Sequence, residues 1–275
     1  MTAAEQWTDA LAAWAIPPRI LRAAPESPWG YPVALFARRA DATSVELTVS
    51  HRRALEALPE GGTVLDAGCG AGAASLPLAR RAGRLVGVDP SPEMLAAFRV
   101  RREAAGVAVT TLAGAWPAAA ARAPIADVVV CHHVAYNVPD LSAFARGLTA
   151  HARVRVVMEL TAEHPLTPLN DLWRRFHGLA RPARPTADDA VAVLREAGLA
   201  PQRELWVASA FNPYTRHDEL IAWTRRRLCL PAARDPEIAA ALAQRIVHGP
   251  EGTVTLPPPQ VVTLWWDGEA VSSTK

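Results

Sequence analysis

Three glycines at alternate positions, Gly68, Gly70 and Gly72, follow an apolar run that ends in Asp66. Glycine permits backbone angles and close approaches that a Cβ atom would block. A strand that turns sharply into a helix shows this spacing, and the first turn of such a helix has unpaired N–H groups. The segment therefore predicts a loop for a nucleotide-type ligand at the carboxyl edge of a parallel sheet.

Two kinds of cofactor fit this loop. Gly68, Gly70 and Ala73 match the dinucleotide fingerprint with alanine at its third position, which would make the chain an NAD-dependent oxidoreductase. The carboxylate of Asp66 would repel a pyrophosphate, however, and would attract a ligand that carries an ammonium and a sulfonium. A second acid, Asp89, ends the next apolar run, where it can accept both ribose hydroxyls of either adenosine cofactor.

Four segments together resemble the class I S-adenosylmethionine (SAM) dependent methyltransferases over about residues 55–160. Segment 66–72 is similar to the first motif of that family and segment 89–95 to the second. Segment 126–134 resembles the fourth strand, and segment 138–141 the turn that follows it. The resemblance implies SAM as the cofactor. It also implies an α/β fold with a Rossmann-like, doubly wound, seven-stranded sheet, mostly parallel with the last strand antiparallel.

The resemblance also implies which residues contact the cofactor, with Met94 against the adenine and Cys69 as a small filler in the loop. The family often has an acid after the third strand, where this chain has Ala115, so the backbone there and the Trp116 ring take over the adenine contact. The expected cofactor-binding residues are Asp66, Gly68, Cys69, Gly70, Gly72, Asp89, Ser91, Met94, Ala115, Trp116 and His132.

Short apolar runs alternate with helical runs along the chain, which predicts right-handed βαβ units and a parallel sheet. Ser91 and Pro92 fit the N-cap and the first position of a helix. Strands are expected at 63–67, 84–88, 107–112, 126–131, 154–160, 204–209 and 261–266, and helices at 73–81, 92–105, 141–152, 186–197 and 217–228.

Three segments lie outside this core, so the 275 residues form one domain with an N-terminal cap, 1–45, and two lid insertions, 161–185 and 210–258. The insertions follow strands whose carboxyl ends face the ligand, and are therefore placed to cover it. Their aromatic residues, among them Phe211 and Tyr214, are expected to line a substrate pocket or to pack a small core of their own, and both alternatives stay open.

Composition is that of a globular enzyme rather than a nucleic-acid or membrane protein. The net charge of +2 argues against a large electrostatic footprint for nucleic acid, and arginines 225–227 point in three directions on a helix. No apolar run approaches the ~18 residues of a membrane span, and no secretory signal is visible. The cysteines are far apart, which favours the cytoplasm. No spacing suggests a metal site, and an oligomer stays possible.

Methyl transfer from a sulfonium gains most from proximity, and a general base adds to it when the acceptor is a hydroxyl. His132 and His133 end the fourth predicted strand, where the methyl group is expected to point. Tyr136 follows on the same loop and is a candidate for orienting the acceptor. Glu159 ends the fifth predicted strand, where it would bind a cationic acceptor or cap the next residues. Lid histidines His164 and His177 are further candidates.

The sequence therefore predicts a methyltransferase that acts on a small molecule, through O- or N-methylation in specialised metabolism. A SAM-binding regulatory or partner protein without methyl-transfer activity is the alternative. The absence of an acid at Ala115 favours the alternative, whereas His132 and His133 favour the enzyme.

Overall fold

A seven-stranded sheet forms the centre of the protein in the computed structural model, which describes residues 1–29, 32–208, 216–249 and 252–269. The strands are β1 (Gly62–Ala67), β2 (Ala82–Asp89), β3 (Ala108–Ala113), β4 (Ala126–His132), β5 (Ala152–Thr161), β6 (Gln202–Val207), β7 (Val247–His248), β8 (Val254–Thr255) and β9 (Gln260–Asp267). The sheet order is β3-β2-β1-β4-β5-β9-β6, and β7 pairs with β8 in a separate ribbon.

The sheet is parallel from β3 to β5, and β9 runs antiparallel to both of its neighbours, β5 and β6. The predicted fold, including the antiparallel last strand, is confirmed. The sixth strand lies at Gln202–Val207, shifted from the predicted 204–209. Because β1, β2, β4 and β5 run in the same direction, their carboxyl ends open on one edge of the sheet.

The helices flank this sheet and form a cap at its carboxyl edge. None of them, within the described ranges, is long and apolar enough to cross a membrane. The predicted N-cap is confirmed, since the Met94 N–H donates to Ser91 Oγ at 3.2 Å. The α-helices are α1 (Ala3–Ala12), α2 (Pro18–Ala23), α3 (Val33–Val45), α4 (Val49–Ala57), α5 (Pro92–Ala105), α6 (Leu141–Ala150), α7 (Asn170–His177), α8 (Ala187–Glu196), α9 (His217–Arg227) and α10 (Asp235–Leu242).

The predicted α-helix at 73–81 is wrong. Turns occupy the start of that segment, and a 3₁₀ helix, Leu76–Arg80, occupies the rest. Pro77 explains the difference, because it has no N–H to donate to the carbonyl of Ala73 and its ring would clash with that carbonyl in an α-helix. The Ala73 carbonyl instead accepts hydrogen bonds from Thr43 Oγ1 at 3.2 Å and from His51 Nε2 at 2.9 Å. Side chains of α3 and α4 therefore take the place of the missing helical donor.

Apolar side chains bury both faces of the sheet. One face packs against α1, α6 and α8, and Trp7 of α1 is fully buried there. Its Nε1 donates to the Val138 carbonyl at 2.8 Å, and its ring stacks on Tyr136 at 5.6 Å. The other face packs against α4, α5 and the 3₁₀ helix, with Phe98 fully buried. The N-terminal helix is therefore an integral part of the fold.

The cap has a hydrophobic core of its own. Its buried residues come from all three segments predicted to lie outside the sheet, and include Ile20, Trp173, Leu220 and Ile238. This supports the expectation that the inserted residues pack together. Phe211 and Tyr214 lie outside the described residues.

Candidate active site

A cavity of about 1600 Å³ lies at the carboxyl edge of the sheet. One side is lined by the loops after β1, β2, β3 and β4, and the other by the N-terminal segment and the cap. A pocket for one drug-sized ligand occupies about 300–1,000 Å³. The cavity therefore has room for two molecules side by side.

The glycines of the loop after β1 have different surroundings. Gly70 has φ of +50°, and a Cβ atom built on it would meet only the Phe36 ring, at 3.7 Å. A Cβ atom on Gly72 would come within 2.4 Å of the Phe98 ring. Gly68, Cys69 and Gly70 line the cavity, whereas Gly72 packs against the core and does not line it. The predicted cofactor contact of Gly72 stays a prediction.

Asp89 ends β2 and borders the cavity. Its Oδ2 accepts the Gly70 N–H at 2.9 Å, and its Oδ1 accepts the Ser91 N–H at 2.8 Å. The carboxylate thus holds the loops after β1 and β2 together while it faces the ligand space. Five other predicted cofactor residues also line the cavity, namely Ser91, Met94, Ala115, Trp116 and His132.

Asp66 lies behind the glycine loop, not on the cavity wall. It is fully buried, and its Oδ2 accepts a hydrogen bond from Ser75 Oγ at 2.6 Å. Its Oδ1 has no hydrogen-bond partner among the described residues. Burial raises the pKa of Asp66 to about 7. The glycine loop separates this carboxyl group from the cavity. The expected contact of Asp66 with a cationic ligand therefore stays a prediction.

His133 and Glu159 meet at the other end of the cavity, and both line it. His133 Nε2 lies 2.7 Å from Glu159 Oε1, and the His133 N–H donates to the Glu159 carbonyl at 2.7 Å. His133 has φ of +58°, a conformation that non-glycine residues rarely adopt outside functional sites and turns. His132 is adjacent, with its Nδ1 3.7 Å from Glu159 Oε2.

Glu159 stays charged although it is buried. Burial alone would raise its pKa, but His132, His133 and the cation of Arg39 outweigh that effect and hold the pKa of Glu159 well below its usual value. Arg39 NH2 lies 3.5 Å from Oε1, and Thr48 Oγ1 donates to Oε2 at 3.5 Å. A buried carboxylate with these neighbours needs no cationic ligand to remain ionised.

The histidines of the cavity are neutral at neutral pH. Burial, reinforced by the charge of Arg39, lowers the pKa of His133 below its usual 6.5. Burial also lowers the pKa of His132 to about 4 and that of His164 to about 3. A neutral imidazole can accept a proton, so His133 is suited to act as a base at pH 7.

The structure corrects two expectations about this end of the site. Glu159 does not end the fifth strand, since β5 continues to Thr161, and its carboxylate caps no residue there. Tyr136 is buried, and its hydroxyl donates to the Thr161 carbonyl at 2.8 Å. Burial raises the pKa of Tyr136 far above its usual 10. The Tyr136 side chain lines the cavity, but its hydroxyl proton is engaged by the Thr161 carbonyl and is not available to an acceptor.

The remaining candidates occupy the cap. His164 lines the cavity and stacks on Trp14 at 3.8 Å, whereas His177 Nε2 contacts the Leu228 carbonyl and lies outside the cavity wall. Arg225 and Arg226 of α9 pair with Glu26 of the N-terminal segment. Within the described ranges, no group of histidine, cysteine and acidic residues is arranged to hold a metal ion.

Three residues of the site were missed from the sequence, namely Arg39, Thr48 and His51. They lie in α3 and at the start of α4, and the contact between Arg39 and Glu159 spans 120 residues. No local pattern connects positions so far apart. The only local signal is a capping box at Thr48, which has His51 in the place of the usual Glu or Gln.

Comparison with known proteins relates the chain to methyltransferases. A family model described as "Methyltransferase domain" matches residues 64–154. The "Ubiquinone biosynthesis O-methyltransferase" of Methylobacterium sp. (strain 4-46) is 38% identical over 93 residues, which are 34% of this chain and 36% of that protein. The protein of the same name from Ralstonia nicotianae is 32% identical over 171 residues, 56% of this chain and 69% of that protein.

The chain belongs to the class I SAM-dependent methyltransferases. A solved structure, YcgJ of Bacillus subtilis, has the same fold with a TM-score of 0.52 and 20% identity, over 79% of this chain and 99% of that one. SAM is the cofactor of this methyltransferase family. The matches to the first three curated relatives span only 33% to 37% of their length, so the acceptor of this methyltransferase has to be inferred from its own cavity.

Proposed function

We propose that this methyltransferase transfers the methyl group of SAM to a hydroxyl group of a small molecule, with His133 as the general base. The observation that carries the proposal is the 2.7 Å contact between His133 Nε2 and the buried carboxylate of Glu159 on the cavity wall. A base held by a carboxylate is the arrangement that hydroxyl activation needs. The names of the curated relatives, which are O-methyltransferases, support the same reaction.

The cofactor end of the cavity fits SAM. The open face of Gly70 leaves room for a ligand against the loop backbone, and Asp89 presents a carboxylate for the two ribose hydroxyls. Met94 and Trp116 would enclose the adenine, with the Ala115 backbone beside it. When bound, SAM supplies an electrophilic methyl group on a sulfonium. With the ribose at the end of β2, the sulfonium would lie toward the end of β4, near His132 and His133.

His133 has a defined protonation state in this proposal. At 2.7 Å one of the two contacting atoms must carry a proton, and it belongs to His133 Nε2 because Glu159 stays ionised. His133 Nδ1 is then the proton acceptor of the ring. It would take the hydroxyl proton of the acceptor as the oxygen attacks the methyl carbon, and Glu159 would stabilise the resulting imidazolium.

The cap end of the cavity favours an acceptor with an extended apolar body. Trp14, Trp29 and Trp223 line it, together with a run of prolines, 257–259. The total volume leaves space beyond SAM for a group of substantial size. An aromatic alcohol with an apolar substituent combines the hydroxyl that His133 needs with the surface that this wall offers.

The test is a screen of acceptors by mass spectrometry. Purified protein is incubated with SAM and with phenols that carry apolar chains of increasing length. We expect a mass gain of one CH₂ unit on a phenol, and better turnover as the chain lengthens. SAM binding without a product from phenols or amines would support a regulatory protein instead, and would contradict the proposal.

A further inference from the structure

The N-terminal segment connects the two ends of the active site. At one end, His51 Nε2 and Thr43 Oγ1 donate to the Ala73 carbonyl, at 2.9 and 3.2 Å, and Ala73 belongs to the cofactor loop. Pro77 leaves that carbonyl without a helical donor, so its position depends on these two side chains. His51 is 1% exposed, and the contact is shielded from water.

The other end of the same residue reaches toward the base. His51 Nδ1 accepts the Thr48 N–H at 3.1 Å and lies 3.0 Å from Thr48 Oγ1, which in turn donates to Glu159 Oε2 at 3.5 Å. Because Nδ1 accepts a backbone N–H, the ring proton is on Nε2, the atom that faces Ala73. Both ring nitrogens are therefore engaged, Nε2 by the Ala73 carbonyl and Nδ1 by the backbone N–H of Thr48, the residue whose hydroxyl donates to Glu159.

We propose that His51 is a positioning residue that joins the cofactor loop to the Glu159–His133 pair through Thr48. A capping box alone requires only the contact with Thr48. The contact with Ala73 lies beyond that requirement and has no role in forming α4. The inference rests on the proposed function, because it assigns His51 to the alignment of SAM with the base.

The surroundings of His51 keep its ring in one protonation state. The groups that face it are Glu159, His132 and the cation of Arg39. Burial, followed by the effect of His132, lowers the pKa of His51 to about 4. The neutral ring with its proton on Nε2 therefore persists at neutral pH.

The test compares His51→Leu with Thr43→Val. The Leu variant removes both contacts of the ring, whereas the Val variant removes only the second donor to the Ala73 carbonyl. SAM affinity, measured by calorimetry, is expected to fall roughly tenfold in His51→Leu and less in Thr43→Val.

The second readout is the pKa of His133, followed by NMR without cofactor. Without His51 Nδ1 as acceptor for its N–H, Thr48 is no longer held beside Glu159. Loss of its hydroxyl donor leaves more negative charge on Glu159 for His133, so this pKa is expected to rise by about half a pH unit in His51→Leu. It is expected to stay unchanged in Thr43→Val. An unchanged pKa of His133 in a folded His51→Leu protein would overturn the link.

Two further variants cover the case in which His51→Leu does not fold. His51→Asn keeps an acceptor for the Thr48 N–H but is too short to reach Ala73, so it is expected to weaken SAM binding alone. Thr48→Val is expected to raise the pKa of His133, and Thr48→Ser to restore it. Wild-type SAM affinity in His51→Asn, or a wild-type pKa of His133 in Thr48→Val, overturns the inference, whereas a wild-type protein that does not bind SAM overturns the proposed function instead.

Discussion

The end of the cavity at the glycine loop, the proposed cofactor end, is built differently from the end at His133 and Glu159, the proposed acceptor end. The cofactor end consists of loops after β1 and β2, and Asp89 holds them together through two backbone N–H groups. The acceptor end consists of buried side chains from distant segments, with Arg39, Thr48 and His133 around the carboxylate of Glu159. A ligand site made of backbone groups can be recognised from a local sequence pattern. A site made of paired charges from distant segments cannot, because its residues meet only in the folded chain.

The largest effect is expected at the glycine that faces the cavity. Gly70→Val places a branched side chain in the ligand space at a backbone conformation that valine rarely adopts, so SAM binding should be abolished while the protein still folds. Gly72→Ala is the matched control, because its Cβ would meet Phe98 in the core and lower the free energy of unfolding by about 1–3 kcal/mol. Calorimetry and urea unfolding separate the two. Normal SAM binding by Gly70→Val would mean that the loop does not hold the cofactor.

The next effect tests the acceptor end. His133→Ala should lower turnover by ~10²–10⁴-fold and leave the dissociation constant for SAM nearly unchanged, because we propose that His133 takes up the proton of the acceptor. His217→Ala, at the exposed start of α9, serves as the surface control. A histidine that only shapes the pocket would instead raise KM for the acceptor, and full activity would leave catalysis to proximity alone.

The lowered pKa of His133 also sets the pH dependence of the wild-type enzyme. A base must be neutral, so kcat/KM should be flat above pH 6.5 and should fall only when the pH drops through the lowered pKa. The pH dependence of kcat/KM therefore lies below pH 6.5, whereas the usual pKa of histidine would place it near pH 6.5. A profile that still rises between pH 7 and pH 8 would assign the base to another group.

Asp89 tests the cofactor end through a side chain. Asp89→Ala would remove the two charge-assisted hydrogen bonds that we propose to the ribose and should weaken SAM binding by ~10²-fold or more. Asp188→Ala, an exposed acid that pairs with Arg203, is the matched control for loss of a carboxylate. Calorimetry measures both. An unchanged affinity in folded Asp89→Ala protein would remove this carboxylate from the cofactor site.

The smallest effect concerns stability behind the glycine loop. The pKa of Asp66 is about 7 in the folded protein and near its usual 3.8 in the unfolded chain. Below pH 4 both states hold the proton, and between pH 4 and pH 7 the unfolded chain releases it first, so the stability from the protonated carboxyl is lost as the pH rises.

Residue 66 does not titrate in Asp66→Asn, so the variant keeps its stability while the wild type loses stability between pH 4 and pH 7. Relative to the wild type, its free energy of unfolding should increase by roughly 1–4 kcal/mol above pH 7. Urea unfolding at pH 5 and at pH 8 measures the difference. A stability difference that is the same at both pH values would show that Asp66 is ionised in the folded protein.

The sequence predicted the parts of the molecule that depend on neighbouring residues. The strands of the central sheet, the N-cap at Ser91 and the position of Asp89 follow from short patterns, whereas the antiparallel direction of β9 was implied by the resemblance to the family. The α-helix expected at 73–81 was wrong because Pro77 cannot donate a hydrogen bond to the Ala73 carbonyl. Arg39, Thr48 and His51 were missed because their role depends on the packing of α3 and α4 against β5, which no local pattern encodes.

The most direct test of the account is a crystal structure of the protein with S-adenosylhomocysteine, the product form of the cofactor. We predict that the ribose hydroxyls bind the carboxylate of Asp89, that the adenine lies between Met94 and Trp116, and that the sulfur faces His133. Binding of the ribose away from Asp89, or a sulfur that points away from the ends of β4 and β5, would contradict the assignment of the two ends of the cavity.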